Sequence, residues 1–185
     1  AAPAPSATAH PSDRMQGFMN EPHSDFSQET VRHAMQEGIS SVRSQLGRQW
    51  DMDSSLPPLT GPWLTSHNPC HPDQIVGSVR GAALSDLDRA VQQAQNHADS
   101  WRRRSAEERA AILRQAASDM SRRRFELAAW EVFEVGKPWR EADAYVAEAI
   151  DFLRYYGDEI CRLSRPARLG NRPGELNHRV YGPRG

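Results

Sequence analysis

The stretch from Phe125 to Tyr156, FELAAWEVFEVGKPWREADAYVAEAIDFLRYY, constrains the fold more than any other part of the chain. It reads as helix, stop, helix. Phe125, Ala128, Ala129, Val132 and Val135 recur at the three-and-four spacing of one helix face. Gly136 is placed to supply the left-handed residue that closes this helix. Pro138 then falls in the first turn of the next, where its missing N–H costs nothing. The second helix carries two stripes. Ala142, Val146, Ala149, Ile150, Leu153 and Tyr156 predict a core face. Glu141, Tyr145, Glu148, Phe152 and Tyr155 predict a second line, its members about 60° or less apart on a wheel of ~100° per residue. That line sets a carboxylate among aromatic rings.

Elsewhere the chain alternates between helical periodicity and breakers. Residues 1–17, AAPAPSATAHPSDRMQG, are rich in Ala, Pro and Ser without periodicity, and predict a flexible tail or linker. Ser24-Asp25 can cap a helix across Ser27–Leu46, lined by Val31, Met35, Ile39, Val42 and Leu46 and ended by Gly47. From Arg48 to His67 the pattern dissolves, and the residues alone support no claim about strands there. Gln74–Arg80 predicts a short strand. Ser85-Asp86-Leu87-Asp88 predicts a capped helix that buries Leu87, Val91, Ala94 and Ala98 and is anchored by Trp101. Ser105-Ala106-Glu107-Glu108 repeats the capping device for a helix to about Arg123, with Leu113, Ala116, Ala117 and Met120 inward. The helix through Tyr156 continues to about Leu163. Pro166, Gly170, Pro173 and Gly174 then break the chain before a terminal strand at Arg179-Val180-Tyr181.

Composition narrows the function classes. The formal charge of −1 on 185 residues advertises neither nucleic acid nor an acidic membrane as partner. Lys137 is the only lysine, a bias of coding before one of function. Cys70 and Cys161 are too few for a disulfide framework and suit a reducing compartment. No apolar run approaches the ~20 residues of a membrane span. A soluble, cytoplasmic chain is expected.

Few residues invite a chemical role. Glu148 has Ala144, Tyr145, Asp151 and Phe152 three and four places away, so no cation of its own helix answers it. From the residues alone it reads as an exposed glutamate. Cys70 sits in a Pro-flanked loop with nothing nearby to lower its pKa, and is no candidate nucleophile; nor is Cys161. His67, Cys70 and His71 crowd too closely to share one zinc ion, and no fourth ligand is evident. Gly136-Lys137-Pro138 lacks the further glycines and the hydroxyl of a phosphate loop, and reads as a helix C-cap with a cation at the negative end of the dipole. Arg102–Arg104 and Arg122–Arg124 lie beside acidic residues and predict solvated faces. Trp and Tyr at helical spacing predict mostly core.

EVGKPWREADAYVAEAIDFLRYY resembles the matching segment of the Δ1-pyrroline-5-carboxylate dehydrogenases, members of the aldehyde dehydrogenase superfamily. The resemblance extends to FMNEPHSDFS, NPCHPDQIVGSV, ERAAILRQAA and PGELNHRVYGPRG, which together cover most of residues 18–185 in the family's order. The family's Gly-Gly hairpin turn is replaced here by Pro57-Pro58 and Gly61-Pro62. The resemblance implies an α/β parent fold of which this segment is mostly α-helical with a few short strands. Residues 18–185 would form the N-terminal helical part of the NAD-binding domain and stop before its first nucleotide-binding strand.

What the resemblance implies about function is an NAD-dependent enzyme, a homo-oligomer, that oxidises L-glutamate 5-semialdehyde to L-glutamate in proline breakdown. It does so by thiolate attack, hydride transfer and thioester hydrolysis. Glu148 corresponds to the family's glutamate that serves the amino end of the substrate, a role in recognition with no part in bond making. The family's nucleophile, base and nucleotide-binding strands have no counterpart in these residues, so the chain alone is expected to be inactive. The rival expectation is a non-enzymatic helical interaction module or truncated remnant. In a third, residues 1–17 link to an upstream proline dehydrogenase domain, though Phe-x-Asn-Glu-Pro favours a separate enzyme.

Overall fold

A computed structural model describes residues 18–51, 57–170 and 172–182. The tail expected over residues 1–17 lies outside the described residues. The chain runs α1 (Glu29–Arg43), β1 (Arg48–Trp50), β2 (Trp63–Asn68), β3 (His71–Arg80), α2 (Leu84–Arg103), α3 (Ala106–Arg122), α4 (Arg124–Val135), α5 (Trp139–Leu163), β4 (Ala167–Leu169) and β5 (Asn177–Arg179). It is mostly helical with a few short strands, as the sequence predicts.

The helix–stop–helix at its centre forms as expected. Gly136 adopts φ 74° and ends α4, a conformation that costs glycine little. Pro138 is the N-cap of α5, one position before the helical turn predicted for it. Met35 of α1, Ala117 of α3, Ala128 of α4, and Ala142, Val146 and Ile150 of α5 form one buried cluster. The small alanines let these helices approach closely, while each fully buried Met, Val or Ile contributes about 1.5–3 kcal/mol. A second cluster, Val42, Val76, Ala129 and Phe133, joins α1 and α4 to β3.

Several expectations are corrected. α1 begins at Glu29 behind Gln28 and stops at Arg43; Ser24 is engaged by Asp143, and Asp25 closes the turn before the helix through Ser27 and Gln28. The Arg48–His67 stretch holds two strands. β1 runs parallel and β2 antiparallel to β3, giving the order β1-β3-β2. Main-chain pairing with β3 makes them strands, and such pairing needs no alternating side-chain pattern. β5 covers Asn177–Arg179, earlier than predicted, and pairs antiparallel with β4.

α2 departs furthest. Its only buried residue is Asp86, and Leu87, Val91 and Trp101 are exposed. Asp86 accepts hydrogen bonds from the N–H of Ala83 and of Thr60, both at 2.8 Å, so the cap comes from the third helical position and not from Ser85. These two main-chain donors, Thr60 foremost, hold its carboxyl below the usual aspartate range. At α3, by contrast, Ser105 and Glu108 form the reciprocal box the sequence predicts. Val135 and Tyr156, placed on core faces by periodicity, are both exposed. Val135 is the last residue of α4, and Tyr156 points away from the face on which its neighbour Gly157 is buried against α3.

Candidate functional site

α5 presents its second stripe to the outside along its length. Glu141, Tyr145, Glu148, Phe152 and Tyr155 are all exposed, separate from the face that packs on α3 and α4. Tyr145 and Phe152 are half exposed, at 49% and 50%. The expectation that tyrosines and tryptophans at helical spacing are mostly core therefore fails for Tyr145, Tyr155, Tyr156 and Trp101. Glu148 makes no hydrogen bond or ion pair to any of the described residues, in keeping with the lack of a cation at helical spacing.

The rings around Glu148 hold one another. Phe152 stacks on Tyr156 at 6.0 Å between centroids and 16° between planes. Tyr156 meets Tyr155 edge-on at 5.4 Å, and Tyr155 meets Phe18 edge-on at 5.5 Å. Such offset and T-shaped contacts add about 0.5–1.5 kcal/mol each beyond buried area. One turn before Glu148, the Lys137 ammonium stands over the Tyr145 ring, 3.2 Å from its centroid. The same ammonium meets Glu131 at 2.6 Å. Lys137 is therefore pinned to its own fold, in accord with its reading as a structural cation.

Charged groups that sequence reasoning passed over fasten this face in place. The segment Phe18–Ser27 lies along α5 as a strap. Asn20 Nδ2 and the N–H of Glu21 both donate to Asp151 at 2.7 Å. Ser24 donates to Asp143 through its N–H at 2.9 Å and its hydroxyl at 2.8 Å. Arg124 donates to the same carboxylate and to the carbonyl of Pro22. Glu21 pairs with Arg154 and reaches Arg124 at 3.4 Å. Arg124 thus leaves the solvated run expected of Arg122–Arg124 and lies nearly buried, whereas Arg122 and Arg123 remain exposed. Burial pushes the Asp143 carboxyl up, but the Arg124 guanidinium and the two Ser24 donors outweigh it and hold it below the usual range. The available signal was Asp143 itself, a carboxylate beside Ala142 on the core side of α5.

The remaining candidates stay apart from this face. Cys70 is exposed in the β2–β3 turn, its N–H bonded to Asn68 Oδ1 at 2.9 Å. Cys161 lies on α5, 4.0 Å from Arg114 Nη2. His67 Nδ1 is engaged by the carbonyl of Pro72 at 2.9 Å. No helix among the described residues is long and apolar enough to cross a membrane.

The fold is that of a piece of a known enzyme architecture. The profile of the aldehyde dehydrogenase family matches residues 60–185, and the chain belongs to that family. Within it, 1-pyrroline-5-carboxylate dehydrogenase 1 of Halalkalibacterium halodurans is 41% identical over 172 residues, 92% of this chain and 33% of that protein. The 1-pyrroline-5-carboxylate dehydrogenase from Thermus, solved with bound NAD, superposes with a TM-score of 0.84 at 36% identity, over 92% of this chain and 33% of that one. Proline utilization A from Bdellovibrio bacteriovorus, inactivated by N-propargylglycine, gives 0.85 at 37%, over 91% of this chain and 18% of that one. The chain spans about a third of the length of the curated relatives it matches.

Proposed function

We propose that this chain is the N-terminal part of an NAD-dependent dehydrogenase that oxidises L-glutamate 5-semialdehyde, the opened form of 1-pyrroline-5-carboxylate, to L-glutamate. The aldehyde carbon becomes a carboxylate, its hydride passing to NAD and water supplying the second oxygen. The observation that carries the reading is Glu148, a carboxylate with no partner among the described residues, on the same stripe as a row of contacting rings. It stands in a chain matched over nine-tenths of its length by dehydrogenases of that name.

In this reading Glu148 receives the ammonium group of the substrate, and the neighbouring rings exclude water and strengthen the attraction. The carboxylate orients the substrate and takes no part in bond making. Residues 18–185 supply the helical part of the NAD-binding domain. NAD is held by parts of the dehydrogenase outside this chain, which on its own is inactive. The whole enzyme works in the cytoplasm as a homo-oligomer.

A chimera tests this directly. The chain replaces the matching third of the Halalkalibacterium enzyme, and NADH formation is followed with glutamate 5-semialdehyde. NADH formation by the chimera but not by the chain alone is expected. A folded chimera that oxidises other aldehydes and not this one would overturn the proposal.

A further inference from the structure

Phe152 and Tyr156 occupy the two turns of α5 that follow Glu148, at successive spacings of four residues. Residues so spaced lie one above the other, their Cβ atoms about 5–6 Å apart. Tyr156 lies beside the Phe152 ring on its C-terminal side, near-parallel at 6.0 Å between centroids. Tyr155 in turn meets Tyr156 edge-on, and Phe18 meets Tyr155. On the N-terminal side of Phe152 the next residue at this spacing is Glu148, toward which side chains on a helix lean.

The molecule shows elsewhere what such a pair does. Lys137 places a primary ammonium between the Glu131 carboxylate, at 2.6 Å, and the face of Tyr145, at 3.2 Å. A carboxylate and a ring face thus already share an ammonium on this side of α5. Glu148 and Phe152 repeat the two components one turn further on, without the lysine. Asp151, the other nearby carboxylate, is occupied by Asn20 and Glu21 and does not compete.

We infer that Phe152 is a specificity-determining residue, its ring face completing with Glu148 a site for the primary ammonium of an amino-acid aldehyde. The inference rests on the proposed function and adds the second half of the recognition. A ring discriminates in a way the carboxylate alone does not. It attracts an ammonium through its quadrupole and gives an analogue without that group no comparable gain.

The test uses the chimera with glutamate 5-semialdehyde and with 5-oxopentanoate, which differs only in lacking the amino group. In Phe152→Leu, the ratio of the two kcat/KM values falls about ten-fold in disfavour of the aminated aldehyde, and Phe152→Trp restores it. An unchanged ratio, whether because both substrates suffer alike or because neither does, overturns the inference while leaving the dehydrogenase reading intact. A chimera that oxidises neither aldehyde refutes the dehydrogenase reading instead. Calorimetry with L-glutamate and glutarate then decides the ammonium site: Phe152→Leu must weaken the former selectively, and equal or absent weakening overturns it.

Discussion

Arg124 grips both carboxylate oxygens of Asp143, Nε at 2.6 Å and Nη2 at 2.7 Å, with 11% and 1% of the two side chains exposed. The pair joins the start of α4 to α5, and through Ser24 and Pro22 it also holds the strap. Removing one partner leaves a buried charge without its counter-ion. Asp143→Ala is expected to lower stability by about 3–5 kcal/mol, read as a shift of the urea midpoint. Arg124→Met with Asp143→Leu should cost less than the two single changes combined, since neither charge is then stranded.

The same carboxylate sets an acid limit. Its folded pKa lies below the ordinary 3.8, so its contribution is complete above that value and is lost as the pH falls through the lower folded one. Stability should be nearly level from about pH 7 to about pH 5 as far as this group is concerned, and decline below 3.8. The gap between the parent and Asp143→Asn should narrow over that acid range. A gap that widens as the pH falls would mean the carboxyl is not depressed.

Two helical glycines give opposite expectations. A Cβ on Gly38 would stand 2.6 Å from the carbonyl oxygen of Phe125, where α1 crosses α4. Gly38→Ala should therefore force the helices apart and cost about 1–3 kcal/mol. On Gly157 the nearest atom, the carbonyl oxygen of Ala110, is 3.6 Å away, an ordinary contact. Gly157→Ala should raise the thermal midpoint through helix propensity, by up to about 1 kcal/mol. Midpoints moving in the same direction would contradict the packing described.

Leu84, Leu87 and Val91 are exposed to 79%, 56% and 49% on α2, an apolar stripe at helical spacing that none of the described residues covers. The 185-residue chain should bind a hydrophobic dye. Changing all three to Ser should reduce binding while moving stability by about 0.5 kcal/mol or less per site. A cooperative melt without dye binding would favour an independent interaction module over a dehydrogenase part.

The local devices were legible in the sequence because they act over a few residues: the Gly136 stop, the Ser105–Glu108 box, the periodicity of α4 and α5. What escaped it depends on partners far along the chain. Nothing in LSDLDRAV distinguishes a buried helix from one whose apolar face is left open, so periodicity predicts a buried face that α2 lacks. β1 and β2 owe their existence to β3, and their own residues carry no strand pattern. At the candidate site the second stripe of α5 and the solitary position of Glu148 could be read from spacing, but the exposure of Tyr145 and Tyr155 could not. The clasp of Ser24, Arg124 and Asp143 could not, because its members lie 19 and 119 residues apart.

The central claim is that Glu148 recognises the amino end of the substrate, and the most direct measurement compares the chimera with its Glu148→Gln form on glutamate 5-semialdehyde. Loss of one charge-assisted contact predicts a KM raised about ten- to hundred-fold, with kcat changed far less. A KM that does not move, in a variant that folds and turns over normally, would contradict the account.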